Sequence, residues 1–193
     1  AVNSQLQSVA ALAQAGGVAP ASVMNDVAQN SDKFAEFARD GGENVFRAAI
    51  GARQLGVNMA TVAGSADALL DFESSIQDQM EAQMLTGKMI NTDKARELAL
   101  AGDLEGMQKE IVSQIGSQAE FDKMNVVQRQ AMAKAFGVSV QDLAKMVANQ
   151  EKLNNMTEAQ KQRQDMVASV IQGINSLFAR MVKNLEPLIP IAI

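Results

Sequence analysis

The sequence predicts an all-α protein: short capped helices forming a small helical domain, followed by one long amphipathic helix suited to an oligomeric bundle or coiled coil. Three observations carry this. No window alternates apolar and polar residues long enough to make a strand. Helix starts and stops recur every ten to fifteen residues, with Ser, Thr, Asp or Asn opening a segment and Gly closing it. The last stretch carries a sustained apolar stripe at helical spacing.

Taken in order, Ser4 to Ala15 is rich in Ala, Gln and Leu and stops at Gly16-Gly17. Pro20 opens the next helix, which runs to Gln29. Ser31 is expected to cap a short turn bearing Phe34 and Phe37, ended by Gly41-Gly42. Glu43 to Leu55 is amphipathic through Val45, Phe46, Ala49 and Ile50, and Gly56 breaks it. A short helix is expected over Asn58 to Ala63, with Ser65 capping a new one through Leu69, Phe72 and Ile76 to Leu85. Thr92 is expected to cap Asp93–Ala101, with its acid early in the helix as the dipole favours. Asp103 caps Leu104–Ile115, a short helix spans Ser117 to Met124, Asn125 caps Val126–Phe136, and Ser139 caps Val140–Asn154. The final helix begins at Thr157-Glu158 and reaches about Leu185, before Pro187. The organisation read from this is a Gly-punctuated helical segment over 1–64, a helical domain over 65–154, the long helix over 157–186 and an apolar tail over 187–193.

Composition restricts the chemistry. The 193 residues include no His, Cys, Trp or Tyr. A Ser-His-Asp triad, a Cys nucleophile, a disulfide framework and a Cys/His zinc site are therefore excluded. Acid–base work would fall to Asp, Glu and Lys. Nothing in the sequence calls for a cofactor or a metal, and the expectation is a protein without enzymatic activity. Aromatics are 4% of the chain, so its apolar mass is Ala, Val, Leu, Ile and 12 Met, which suits thin helix contacts. The chain begins at Ala1 and ends on Leu188-Ile189-Pro190-Ile191-Ala192-Ile193, and it reads as a piece of a longer protein. No run of eighteen apolar residues is present to span a membrane.

Charge is uneven. Residues 65–125 carry five bases against twelve acids, whereas 126–193 carry eight bases against five acids. The net charge of -5 does not suit a nucleic-acid coat. Asp67, Asp71, Glu73, Asp78 and Glu81 form an acidic run, with Asp67, Asp71 and Asp78 near one face of the expected 65–85 helix. Such carboxylates could hold a hard cation or work as an acid/base pair. The Gly turn of a calcium loop is missing, however, and a solvated face or one that meets a basic partner is the simpler reading. The twelve Met sit at helical spacing and read as core filling.

Residues 130–146 are similar to a helix-turn-helix, with Ala133 four before Gly137, then Val138-Ser139 and Leu143. A DNA-binding regulator built on 126–150 is thus the rival reading. The second helix would carry Lys145 against Asp142, with Gln141 and Asn149, and no Arg. With few phosphate contacts, its affinity would be weak.

The last helix has the clearest geometry. Val167, Val170, Ile174, Leu177 and Met181 step by three and four as a heptad seam. Ile171, Phe178, Val182 and Leu185 widen it beyond a two-stranded seam. These nine residues form the expected oligomer or partner interface, in an assembly of three or more copies. Lys161, Arg163, Arg180 and Lys183 on its flanks also fit a helix lying on a membrane surface.

One stretch resembles a known family. The strings Asp67-Ala68-Leu69-Leu70-Asp71-Phe72-Glu73-Ser74-Ser75-Ile76 and Glu81-Ala82-Gln83-Met84-Leu85-Thr86-Gly87-Lys88 lead it. Ala95-Arg96-Glu97-Leu98-Ala99-Leu100-Ala101-Gly102-Asp103-Leu104-Glu105-Gly106 and the Phe136-Gly137-Val138-Ser139 turn complete it. Together, residues 67–147 resemble a segment of the tail tape measure proteins of contractile-tailed phages. The resemblance implies a helical, multi-copy virion protein inside the tail tube that sets tail length, holds the baseplate hub and leaves with the DNA at ejection. It implies tube and hub proteins as partners, no specific nucleic acid, and membrane contact only at ejection. Residues 1–64 and 157–193 carry no such resemblance.

Overall fold

The computed structural model describes residues 2–156, and among them regular structure is helical throughout, without a strand. The α-helices are α1 (Val2–Ala15), α2 (Pro20–Gln29), α3 (Ser31–Phe37), α4 (Glu43–Gln54), α5 (Met59–Leu70) and α6 (Phe72–Thr86). They continue as α7 (Asp93–Leu100), α8 (Leu104–Ile115), α9 (Gln118–Lys123), α10 (Val126–Ala135) and α11 (Val140–Asn154), with a 3-10 turn at Asp40–Gly42. The long helix expected over 157–186, its nine interface residues Val167 to Leu185, and the tail 187–193 lie outside the described residues.

One corner, with Ala four residues before the Gly and Val after it, recurs three times among the described residues. At the end of α1 the N–H of Val18 donates to Ala13 O and that of Gly17 to Gln14 O. Val57 and Gly56 do the same to Ala52 and Arg53 after α4, and Val138 and Gly137 to Ala133 and Lys134 after α10. This is the paired 6→1 and 5→2 closure that satisfies the last helical carbonyls, with a left-handed Gly at the turn. In each case the Ala that accepts the longer bond is buried, which lets the corner tuck into the core. The following Val packs against the core, and the next helix begins three residues after the Gly. The helix-turn-helix-like feature at Gly137 is therefore a corner this chain uses repeatedly, and Asp103 and Gly102 make the same closure to Leu98 and Ala99 after α7.

Helix starts follow the expected caps at Asp103, Asn125 and Ser139, and Asn58 and Ser117, expected only as the first residues of short helices, also cap: each side chain accepts a backbone N–H. Ser117 and Asn125 form full capping boxes with Glu120 and Gln128. Three expectations need correction. Ser31 is inside α3, whose cap position is Asn30. Thr92 sits at the cap of α7 without capping it, because its hydroxyl is spent on Gln79 and Arg96. Ser65 opens no helix: α5 runs unbroken from Met59 to Leu70, and the break falls at Asp71. Ser65 is buried and donates to the carbonyl of Phe136, so its hydroxyl serves a tertiary contact.

The core is thin and Ala-rich, as the composition requires. Ala48, Ala49 and Ala52 of α4 are buried, and α4 packs on α8, α2, α1 and α5. Met59, Leu69, Met107, Ile111, Phe121, Met132, Phe136 and Leu143 fill the larger spaces. This cluster takes in residues from Val9 to Val147, and position 64/65 falls within α5. Asp26 ties the N-terminal helices to α5: its buried carboxylate accepts from Arg53 of α4 and from the backbone N–H of Met59.

Candidate functional site

Helix α6 is inverted. Its inward face is polar: Ser75 is buried, Gln79 donates to the carbonyl of Ile90 and accepts from the hydroxyl of Thr92, and Gln83 also donates to Ile90 O. Only Ala82 among its apolar residues is buried. Its apolar residues point out. Phe72 is 50% exposed, Ile76 48%, Met80 59% and Met84 80%. They recur every fourth residue, a row that winds slowly along one side of a helix.

Elements around α6 carry further exposed apolar residues. The nine large exposed apolar residues among the described ones all fall between Phe72 and Val127. Leu85 and Met89 continue from α6, and Leu100 lies one turn beyond Arg96 on α7. Val126 and Val127 open α10, the helix that packs most extensively on α6. Gln128 Nε2 donates to Leu85 O at one end of that antiparallel pair, and Lys134 reaches Asp78 and Glu81 further along it. Exposed apolar side chains scattered singly are ordinary; a contiguous row with neighbours is the mark of an interaction surface.

Polar anchors keep α6 in this orientation. The Arg96 guanidinium is buried between α6 and α7, donating to Ser75 Oγ at 3.0 Å, Thr92 Oγ1 at 2.8 Å and Asp93 at 2.7 Å. Its Cζ lies 5.6 Å from the centre of the Phe72 ring. A cation, two buried hydroxyls and two glutamines therefore fill the space where a typical amphipathic helix would place leucines, with the exposed Asp93 holding the cation from outside. Rolling α6 to bury its Met row would strand those groups, at a cost of several kcal/mol, on the order of 1–3 for each.

The acidic run is divided between two helices and does not form the single face expected of it. Asp67, on α5, pairs with Lys33 of α3 at 2.8 Å. Asp71 is the break between α5 and α6 and accepts from Ser74 Oγ at 2.8 Å. Asp78 and Glu81 share Lys134 at 2.8 and 3.5 Å. The hydrogen bond it donates to Asp78, with the charges of Asp78 and Glu81, raises the Lys134 ammonium above its ordinary range. Lys33 is raised by Asp67 and Glu36 in the same way. Among the described residues no group of three or more acids could hold a metal ion. Glu73 and Asp71 stay exposed beside the apolar row.

The α10–α11 hairpin has the geometry expected from residues 130–146. Leu143, Met146 and Val147 bury α11 against its neighbours. Two of the polar residues that a reading helix would use are engaged within the chain. Asn149 Nδ2 donates to Leu55 O at 3.1 Å, and Lys145 donates to Asp142 at 3.0 Å. The expectation that the Met residues fill the core fails for Met80, Met84 and Met89, which are exposed, and with it the α6 surface was missed. The available signal was on the opposite side of the same helix, in Ser75, Gln79, Gln83 and Thr86.

No family model, no curated protein and no solved structure matches this chain.

Proposed function

We propose that this chain is a structural interaction segment of a phage tail tape measure protein, of the type found in contractile tails. The observation that carries the reading is a coincidence of place. The stretch that leads the resemblance, Asp67 to Lys88, is the stretch that forms α6 and its outward apolar row. A helix that spends its apolar residues on the outside and its glutamines on the inside is built to be covered by something else. Within a tail, this segment acts near the baseplate hub, copies meet through Val167, Val170, Ile174 and the rest of the 157–186 stripe, and tube or hub proteins are the neighbours. Its role is in assembly, tail length and release with the DNA, and no catalytic step is assigned to it.

Mass spectrometry of purified phage tails tests this. Peptides spanning 67–147 are expected in intact tails and are expected to fall sharply in tails that have ejected their DNA. Absence of these peptides from intact tails would overturn the proposal.

A further inference from the structure

We infer that the outer face of α6 is the seat of the chain's own segment 157–186. The inference goes beyond the tape measure reading and rests on α6, on the place where the described chain ends, and on the sequence of 157–186.

The chain leaves the described structure beside α9, the short helix that also meets the loop following α6. Asn154 and Asn155 line a cleft of about 480 Å³ together with Ser117 and Gln118 at the start of α9. The same short helix carries Glu120, whose carboxylate lies 3.5 Å from the ammonium of Lys88, four residues beyond Met84. Lys88 also donates to Ile115 O at 2.7 Å, which fixes the end of α6 against the α8–α9 corner. The exit and the end of the apolar row thus lie on either side of the six-residue α9. No long linker is needed to join them.

Length and charge agree. Thirty helical residues over 157–186 would rise about 45 Å, and the fifteen of α6 rise about 22 Å. The segment can turn back beside α9 and still run the whole length of α6. Its flanks carry Lys161, Arg163, Arg180 and Lys183, and the α6 row is bordered by exposed Asp71 and Glu73 and half-exposed Glu81. At 100° per residue the stripe from Val170 and Leu177 round to Ile171 and Val182 spans about 140°, wide enough to meet two neighbours. One side would lie on α6, and the other would remain for a second copy.

Methionine oxidation in the full chain reads this directly, since Met80 and Met84 are exposed in residues 2–156 taken alone. Under dilute hydrogen peroxide, Met80 and Met84 should oxidise several-fold more slowly in the unchanged chain than in the Ile174→Asp/Leu177→Asp variant. Met59, Met107 and Met132, fully buried in the core, should stay slow in both and report an intact fold. Equal rates at Met80 and Met84 with an intact fold would overturn the inference. A second measurement covers the case in which the variant unfolds. The chain has no Cys, so Met80→Cys can be combined in turn with Val170→Cys, Ile174→Cys, Leu177→Cys and Met181→Cys. At low micromolar concentration, at least one pair should form a disulfide within a single chain. Absence of any link, or links formed only between chains when singly substituted proteins are mixed, would overturn the inference, the latter result giving the face to a second copy.

Discussion

The Ser65 hydroxyl donates a hydrogen bond of 2.5 Å to the carbonyl of Phe136, seventy-one residues away, and closes the α10–α11 corner onto the middle of α5. The contact is intimate. A Cβ built on Gly137 would fall 2.3 Å from Ala68 Cβ and 3.3 Å from the Cα of Ser65. Gly137 also has φ of 63°. The corner therefore needs Gly for two separate reasons, backbone conformation and the approach of α5.

Those two reasons can be separated. Gly87, at the end of α6, shares the left-handed conformation with φ of 66°, but a Cβ there meets nothing within 4 Å. Gly87→Ala should cost only the conformational term, about 1–2 kcal/mol. Gly137→Ala should cost that plus the overpacking against Ala68, about 3–4 kcal/mol in all. Urea unfolding followed by circular dichroism gives both values. Similar losses at the two positions would show that the α5 contact relaxes.

What the sequence made legible follows from how local each determinant is. Caps such as Asp103, Asn125 and Ser139 and the Gly stops act within one turn, so their residues announce them. Ser65 and Thr92 have the same residue types and fail as caps because distant partners, Phe136 and Gln79, claim their hydroxyls. The orientation of α6 was illegible for a related reason. Its Met row and its Gln row are equally periodic, and the choice between them rests on Arg96 and Thr92, which the chain supplies from another helix. The nine interface residues expected from Val167 to Leu185 fall outside the described residues.

The polar seam of α6 predicts an asymmetry between two glutamines. Gln79 donates to Ile90 O at 2.9 Å and accepts from the fully buried Thr92 hydroxyl. Gln77 is exposed. Gln79→Ala leaves the buried Thr92 hydroxyl without its acceptor and should cost about 1–3 kcal/mol. Gln77→Ala should stay within about 0.5 kcal/mol of the unchanged chain. Chemical denaturation of the two variants side by side measures the difference, and a large loss at Gln77 would place that residue under a partner.

Asp26 joins α2, α4 and α5 through one carboxylate. Its Oδ2 accepts from Arg53 Nε at 2.9 Å and from Met59 N–H at 3.2 Å, and its Oδ1 lies 2.8 Å from Arg53 Nη2. Asp26→Ala strands the partly buried guanidinium and a buried N–H together, a loss of about 3 kcal/mol. Asp26→Asn keeps one acceptor for Met59 and should lose about half as much. Thermal melts of the two variants order them, and equal melting temperatures would show that the Met59 N–H finds another acceptor when Asp26 is truncated.

Stability should be flat in pH across the neutral range, for a reason present in the composition. With no His, Cys or Tyr, no side chain in the sequence titrates ordinarily between the carboxylates and the lysines. The shifted groups move outward from that gap. Glu120 is held below its ordinary value by the backbone N–H of Ser117 and the charge of Lys88. Burial pushes the Asp142 carboxyl up, but Lys145, Ser139 and Thr61 outweigh it and leave the group lowered. A carboxylate lowered by folding contributes stability above its unfolded pKa, and that stability is lost as pH falls through the folded value. Lys33 and Lys134 are raised above the ordinary 10.5 by Asp67 and Asp78 respectively. Their contribution is complete below the unfolded pKa and is lost as pH rises through the folded one. Unfolding free energy should therefore vary by less than about 0.5 kcal/mol from about pH 6 to 9, falling on either side. Asp142→Asn should shallow the acid limb and Lys33→Met the alkaline limb, each leaving the other unchanged. Urea unfolding at half-unit pH steps measures all three curves. A slope within the neutral window would mean that a lysine or carboxylate has been driven into it, most simply by burial where segment 157–186 or another copy covers a charged residue.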